Sequence, residues 1–283
     1  MNIAIFSISA HDPNAGSVLM AQAAEKRGHT TRISTFQNAD DRAWLAESDI
    51  LILRTTYRTY DDVIAVAEWY KKTNPTGLLS TEVWGIEHSF DKYLAHQVMQ
   101  AHGIKTPETY LIQTMDDINH LGLDQKLPLI VKPRCENQGR GVKAVYTPEE
   151  LAKHTQELLY AYGTCIAQYF VAEAEGKDIR AFVIGDEVAA SMERRAPEGS
   201  VVANLYRGGT AEVISLDEIS RALAIKTAQT FKASFAGIDL LRSKDGMTVL
   251  EVNISPGFML AEIADIDLAD KIIEHLIAKK EQQ

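Results

Sequence analysis

The sequence predicts a mixed α/β and α+β fold, an open α/β segment followed by a small α+β lobe and a last, antiparallel-style lobe, and three observations predict it. Short apolar runs alternate with helical stretches over the first third of the chain. Later strands are separated by glycine-bearing turns, in antiparallel style. The pattern changes near residues 88 and 166, so segments 1–87, 88–165 and 166–283 are expected.

Each element has its own signal. Ile3–Phe6 is a short apolar run suited to a buried parallel strand. Ser17–Arg27 reads as a helix ending at Gly28. Thr31–Ile33 and Ile50–Leu53 supply strands, Val63–Lys72 a helix, and Thr76–Leu79 a strand after the Asn74-Pro75 breaker. No Gly-x-Gly-x-x-Gly occurs in these loops, so a dinucleotide site is not supported there. A helix over Asp91–Ala101 follows, then a strand over Leu129–Lys132, a polar loop over Arg134–Gly141 and a strand over Val142–Val145. Thr147 and Glu150 form a capping box, and Pro148 sits at the first helical position. Thr164–Tyr169 is again a strand. Ile179–Ile184 and Glu187–Met192 pair across the Gly185-Asp186 turn. Leu216–Ser234 is a helix, Gly237–Leu241 and Met247–Val252 flank a Lys244-Asp245-Gly246 turn, and Asp267–Lys279 closes as a helix.

Composition excludes several classes. The chain has 283 residues, 46% hydrophobic and 24% charged, an ordinary soluble balance. Its formal net charge of −10 repels phosphate backbones, so nucleic acid is not an expected partner. No apolar run approaches membrane-spanning length, and the N-terminus lacks a basic leader, so no membrane span or signal peptide is expected. The two cysteines, Cys135 and Cys165, lack metal spacing and fit a reduced, cytoplasmic setting. The eight histidines are scattered without a catalytic motif and are expected at the surface.

Three groups of residues carry chemistry. Glu251 and Asn253 lie two apart on one strand and so share a face. If that strand pairs with its neighbour as a hairpin, Asp239 joins them, giving three oxygen ligands of the kind Mg²⁺ takes. The alternative is a solvated polar hairpin face. Lys132 ends an apolar strand, where a buried lysine needs an anionic partner such as a phosphate. The alternative is a lysine that snorkels to solvent. Arg180, Arg194, Arg195 and Arg207 gather near Asn204, Gly208 and Gly209. They suit an anion site, or else a surface ladder of ion pairs. Arg54 ends the strand Ile50–Leu53, where ligands gather in open α/β sheets. It suits a substrate carboxylate, or else a pair with Asp61 or Asp62.

In order along the chain, Phe90-Asp91-Lys92, Ile130-Val131-Lys132, Gln138-Gly139-Arg140-Gly141-Val142 and Lys177-Asp178-Ile179-Arg180 form a recurring set. Glu193-Arg194-Arg195-Ala196, Asn204-Leu205-Tyr206-Arg207-Gly208-Gly209, Ala236-Gly237-Ile238-Asp239 and Leu250 to Gly257 complete it. The set resembles the ATP-grasp superfamily, and within it the RimK-type amino-acid (glutamate) ligases. That resemblance implies an ATP-grasp fold with a preceding N-terminal α/β domain. It implies that Lys92 and Lys132 contact the nucleotide and that Gln168, Tyr169 and Phe170 form the adenine-side hinge. Asp178 would hold the ribose, Ala203 and Asn204 would also bind nucleotide, and Arg180 and Arg207 would act in catalysis. Asp239, Glu251 and Asn253 would bind two Mg²⁺ (or Mn²⁺) ions. Arg54 and Arg194 would bind substrate. Two departures stand out: Gln168-Tyr169-Phe170-Val171 lacks the usual hinge acid, and Cys135-Glu136-Asn137-Gln138 replaces a Glu-Gly-Ser type loop.

The implied reaction joins a carboxylate to an amine through an acyl-phosphate, with ATP converted to ADP. The amine is an amino acid such as glutamate, and the acceptor a protein or peptide C-terminus. Two other readings stand beside it. One is a ligase for a small-molecule or carrier-bound amino acid. The other is a nucleotide-binding module without activity, which the three metal-type oxygens disfavour. A homo-oligomer is expected.

Overall fold

The computed structural model describes residues 1–7, 16–35, 39–54, 60–136, 139–200, 203 and 208–283. Among the described residues the strands form three sheets. The first is parallel, in the order β2-β1-β3-β4, from β1 (Asn2–Phe6), β2 (Thr30–Ser34), β3 (Ile50–Leu53) and β4 (Leu78–Leu79). Helices α1 (Gly16–Lys26), α2 (Ala39–Ala46) and α3 (Tyr60–Thr73) accompany it. The apolar runs are buried on both faces, as in parallel sheets generally. Ile3, Ile5, Ile50 and Ile52 face one core, and Ala4, Phe6, Leu51 and Leu53 the other.

Two helices, α4 (Val83–Ser89) and α5 (Lys92–Ala101), lead into the central lobe. Its antiparallel sheet runs β5-β8-β6-β7, from β5 (Thr109–Ile112), β6 (Leu129–Pro133), β7 (Lys143–Val145) and β8 (Cys165–Tyr169). It carries α6 (Asp117–His120) and α7 (Pro148–Tyr162). The third sheet, β11-β10-β9-β12-β13, is antiparallel. It comprises β9 (Lys177–Ile184), β10 (Glu187–Arg195), β11 (Thr210–Val213), β12 (Phe235–Ser243) and β13 (Gly246–Asn253). With it come α8 (Glu218–Thr230), α9 (Met259–Ala264) and α10 (Leu268–Glu281).

The cores do not follow three separate segments. One core joins Leu51, Val63 and Val66 of the N-terminal segment to Ile179, Ala181 and Ile238 of the C-terminal lobe. A second joins Ile3, Ile5 and Met20 to Phe182, Phe235 and Ile272. The central lobe keeps its own core around Leu129, Val131, Val145 and Leu151. A division at 165/166 would cut β8, whose partners are β5 and β6, so the whole strand belongs to the central lobe.

Local chemistry explains where elements begin and end. Thr147 accepts from the Glu150 amide at 3.2 Å, but Glu150 accepts from Tyr146 N (2.8 Å) rather than from Thr147 N. The capping interaction therefore reaches one residue further back than the expected box. The helix read over Leu216–Ser234 is shorter at both ends. Asp217 caps it by accepting from Ser220 N at 2.7 Å, and Lys232 takes φ 50°, which ends helical backbone. Two of the described histidines are buried. His96 packs on the inner face of α5, where burial lowers its pKa, and His154 is held in α7. No described helix is long and apolar enough to cross a membrane.

Candidate active site

Several of the predicted residues, Lys92, Lys132, Arg180, Arg194, Asp239 and Glu251, come together where the central lobe meets the C-terminal sheet. Asp239 on β12 is paired directly with Glu251 on β13, and Gly237 with Asn253. The hairpin condition is thus met, and the two carboxylates and the amide lie on neighbouring positions. Gly237 lies close against the site: a Cβ there would sit 3.1 Å from Pro256 and 3.4 Å from Arg180 Nε. A methyl there would ask Pro256, in the loop after Asn253, to give by a few tenths of an ångström.

Asp239 is the most heavily engaged of the three. Arg180 Nε and Nη2 donate to its two oxygens at 2.6 Å each, and Arg194 Nη2 lies 2.9 Å from Oδ2. Arg194 also donates to both oxygens of Asp178, at 2.5 and 2.8 Å. Planar guanidinium groups match carboxylates in this two-bond fashion. Strand register explains the clustering, because Arg180 lies opposite Asp239 across β9 and β12, and Arg194 opposite Asp178 across β9 and β10. Burial would push Asp239 up, but Arg180 and Arg194 outweigh it and hold the carboxyl below its usual range. Asp178 is pushed up to about 6 by burial, which Arg194 only partly offsets. For Arg194 burial works against the charge, yet Asp239 and Asp178 raise its pKa above the ordinary value.

Across from this sheet stand two lysines. Lys92 opens α5, whose N-cap Asp91 accepts from Tyr93 N (2.9 Å) and Leu94 N (3.2 Å). Its ammonium donates to the Glu136 carbonyl and lies 3.6 Å from Glu251 Oε1. Lys132 on β6 is only 5% exposed, which overturns the snorkelling alternative. Its ammonium donates to Gln168 Oε1 at 2.8 Å. Burial lowers its pKa to about 8, Glu251 and Asp239 raising it and Lys92 lowering it. A cation without a full counter-charge is thus held beside the acidic pair.

Other predicted residues have different surroundings. Gln168, expected at the adenine-side hinge, has a buried side chain bonded to Lys132 and Thr109, so it also supports the lysine. Tyr169 is exposed, and Phe170 is buried edge-on to Tyr146. Arg194, expected to bind substrate, has its guanidinium engaged by Asp178 and Asp239. Among the described arginines of that group, Arg195 fits the surface-ladder reading, with Glu193 at 2.9 Å and Glu212 at 3.7 Å. Arg54 donates to the Pro256 carbonyl at 2.9 Å and stacks over Phe258, which brings it to the loop after Asn253. Ala203 is buried, while Asn204 and Arg207 lie outside the described residues.

The glycine-bearing loop is anchored at both ends. Arg134 pairs with Asp91 at 2.5 Å, and His154 Nε2 lies 2.9 Å from the Gly141 carbonyl, so the ring nitrogen donates. Gly141 has φ 69°, and a Cβ there would sit 2.9 Å from Pro133.

The donor set suits a hard divalent cation. Among the described residues no three His, Cys, Asp or Glu side chains are placed to hold a metal. The two carboxylates and the Asn253 amide oxygen are of the kind Mg²⁺ takes, and both Asp239 oxygens are engaged by arginines in this structure. Asn253 Oδ1 accepts from Ser255 N at 2.9 Å, which fixes the amide's orientation. Arg180 and Arg194 supply the positive charge at Asp239.

Residues 89–276 match the RimK-like ATP-grasp domain. The chain belongs to the RimK-like ATP-grasp family. A probable alpha-L-glutamate ligase of Stenotrophomonas maltophilia is 39% identical over 193 residues, covering 68% of this chain and 66% of that protein. A probable alpha-L-glutamate ligase 2 of Hahella chejuensis is 39% identical over 198 residues, covering 68% and 64%. The match therefore spans slightly less than two thirds of these relatives' length. The crystal structure of D-cycloserine synthetase DcsG superposes with a TM-score of 0.77 at 16% identity, covering 99% of this chain and 100% of that one. D-alanine–D-alanine ligase from Bacillus anthracis gives 0.74 at 19%, covering 99% and 98%. The fold is that of the ATP-grasp ligases, as the ordered motifs imply.

The site also holds a residue that no motif marked. Thr109 opens β5 directly opposite Gln168 on β8. Its only sequence signal is a threonine at the start of a short apolar run.

Proposed function

We propose that this protein is an ADP-forming carboxylate–amine ligase that adds an amino acid, glutamate, to the C-terminus of a protein or peptide. The observation that carries the reading is the meeting of Lys92 and Lys132 with the Asp239–Glu251 pair. The glutamate ligases among its relatives support the choice of amino acid.

In this reading Lys92 and Lys132 hold the nucleotide phosphates, with Ala203 and Asn204 beside them. Gln168, Tyr169 and Phe170 form the adenine-side hinge, and Asp178 meets the ribose while bracing Arg194. An acceptor carboxylate oxygen attacks the γ-phosphorus and ADP departs. The amine then attacks the acyl carbon, phosphate leaves, and the nitrogen releases its proton. Arg180 and Arg207 stabilise the charge that develops on the transferred group, the type of contribution that preorganised cations make. Asp239, Glu251 and Asn253 would hold two Mg²⁺ or Mn²⁺ ions, which supply charge neutralisation at the phosphates. A related fold, the ligase PsnB, is known with its minimal precursor, Mg and ADP. Arg54 grips a substrate carboxylate, and the loop over 134–141 keeps water from the acyl-phosphate.

The test is ADP release measured with each of the twenty amino acids against protein, peptide and small-molecule acceptors. Release that requires both glutamate and a C-terminal peptide supports the reading. Release with small acceptors alone favours the small-molecule alternative. No amino-acid-dependent release in any combination refutes ligase activity. The homo-oligomer belongs to the same proposal, and light scattering reads it directly.

A further inference from the structure

We infer that Thr109 is a positioning residue for nucleotide binding, acting through Gln168 to fix where the Lys132 ammonium points. The inference rests on the reading of Lys132 as a phosphate contact. Thr109, Gln168 and Lys132 are 6%, 4% and 5% exposed, so water does not substitute for their mutual bonds.

The direction of each bond follows from its donors. The Thr109 hydroxyl donates to the Pro107 carbonyl at 2.9 Å. A hydroxyl has one hydrogen, so toward Gln168 it only accepts. Gln168 must therefore present its amide nitrogen, which donates to Thr109 Oγ1 at 2.9 Å. That leaves Gln168 Oε1 facing Lys132, whose ammonium donates to it at 2.8 Å. Flipping the amide would set oxygen against oxygen at one end and an amino group against an ammonium at the other. Both bonds would be lost in a buried place.

The choice of an amide matters for function. A carboxylate at Gln168 would pair with Lys132 and compete with an incoming phosphate. A neutral oxygen holds the ammonium in position and leaves its charge available. The other charges around it, Lys92, Glu251 and Asp239, come from different elements and act on it through charge, whereas Gln168 is its hydrogen-bond partner. The relay from the Pro107 carbonyl through Thr109 and Gln168 sets its direction.

The experiment measures ATP affinity by calorimetry for Thr109→Val, Thr109→Ser and Lys132→Met, alone and combined, with melting temperatures alongside. Thr109→Val removes the oxygen at constant shape and should weaken ATP binding about tenfold, the scale of a mispositioned charged hydrogen bond. Thr109→Ser keeps the oxygen and should restore affinity to within about twofold of wild type. In the Lys132→Met background, Thr109→Val should cause no further loss, because the group it positions is gone. Wild-type affinity in Thr109→Val, or equal losses in the valine and serine variants, would overturn the relay. Unchanged affinity in Lys132→Met would instead refute the phosphate role of the lysine. If Thr109→Val does not fold, Gln168→Leu breaks the next link and is read the same way.

Discussion

Replacing Lys132 by methionine should move stability and binding in opposite directions. The side chain is nearly fully buried and, among the described residues, it donates to the neutral Gln168 oxygen. Its pKa falls from 10.5 to about 8 because burial penalises the cation. That drop corresponds to about 3 kcal/mol of stability forfeited at neutral pH. Methionine is of similar length and carries no charge. It leaves Gln168 Oε1 without a donor, which costs about 1–3 kcal/mol. The two nearly cancel, so the unliganded variant should be as stable as wild type or up to about 2 kcal/mol more so. ATP binding should fall by about 1.5–3 kcal/mol, roughly 10- to 150-fold. The pH dependence gives a second signature. Between pH 8 and 10.5 the unfolded lysine holds its proton and the folded one has released it, so wild-type stability gains from this group as pH rises. That gain should vanish in the variant. Urea denaturation at several pH values and ATP calorimetry measure both sides. A variant that loses more than about 1 kcal/mol of stability yet binds ATP normally would refute the reasoning, since the lysine would then be structural.

Three further substitutions test other parts of the site. Glu251→Gln should keep the melting temperature near wild type and abolish ADP release, and near-normal turnover would sink the metal assignment. Arg54→Ala should raise the Michaelis constant for the acid or amino-acid substrate and leave that for ATP unchanged; lost stability with normal kinetics would mark it as a structural tie to Pro256. Arg194→Met should leave Asp178 and Asp239 to share Arg180 alone and cost about 3–5 kcal/mol, read by denaturation, because breaking a buried pair strands its partners. A loss below about 1 kcal/mol would show that the double clamp adds little.

Much of this site was legible because strand period and motif order carry it. Glu251 and Asn253 share a face by spacing alone, and the Asp245-Gly246 turn brought Asp239 opposite Glu251. Lys132 was marked by its place at the end of an apolar strand. What sequence did not reveal depends on contacts between distant segments. Thr109 and Gln168 are 59 residues apart and meet only because β5 pairs with β8. Arg194 looked available because its partners, Asp178 and Asp239, lie on other strands. His96 and His154 looked exposed because short windows do not show which helix face is covered. The short elements β5, β11, α4 and α9 have too few residues for a periodic signal.

The arrangement of cores constrains how the site is assembled. The N-terminal segment and the C-terminal lobe share two cores, so Arg54, the loop after Asn253 and the Asp239–Glu251 pair belong to one packed body. Lys132, its Thr109–Gln168 support and the glycine-bearing loop belong to the central lobe, which packs on a core of its own. Helix α5 connects the two, lending Ala95, Val98 and Met99 to the shared core while its first residue, Lys92, reaches both Glu251 and the loop. An anionic ligand held by Lys132 on one side and by the acidic pair, through a cation, on the other would therefore bridge two separately packed bodies. Binding energy gained there would be spent on their alignment. A lysine left under-compensated in the free protein is the form that gives such a ligand the most to gain.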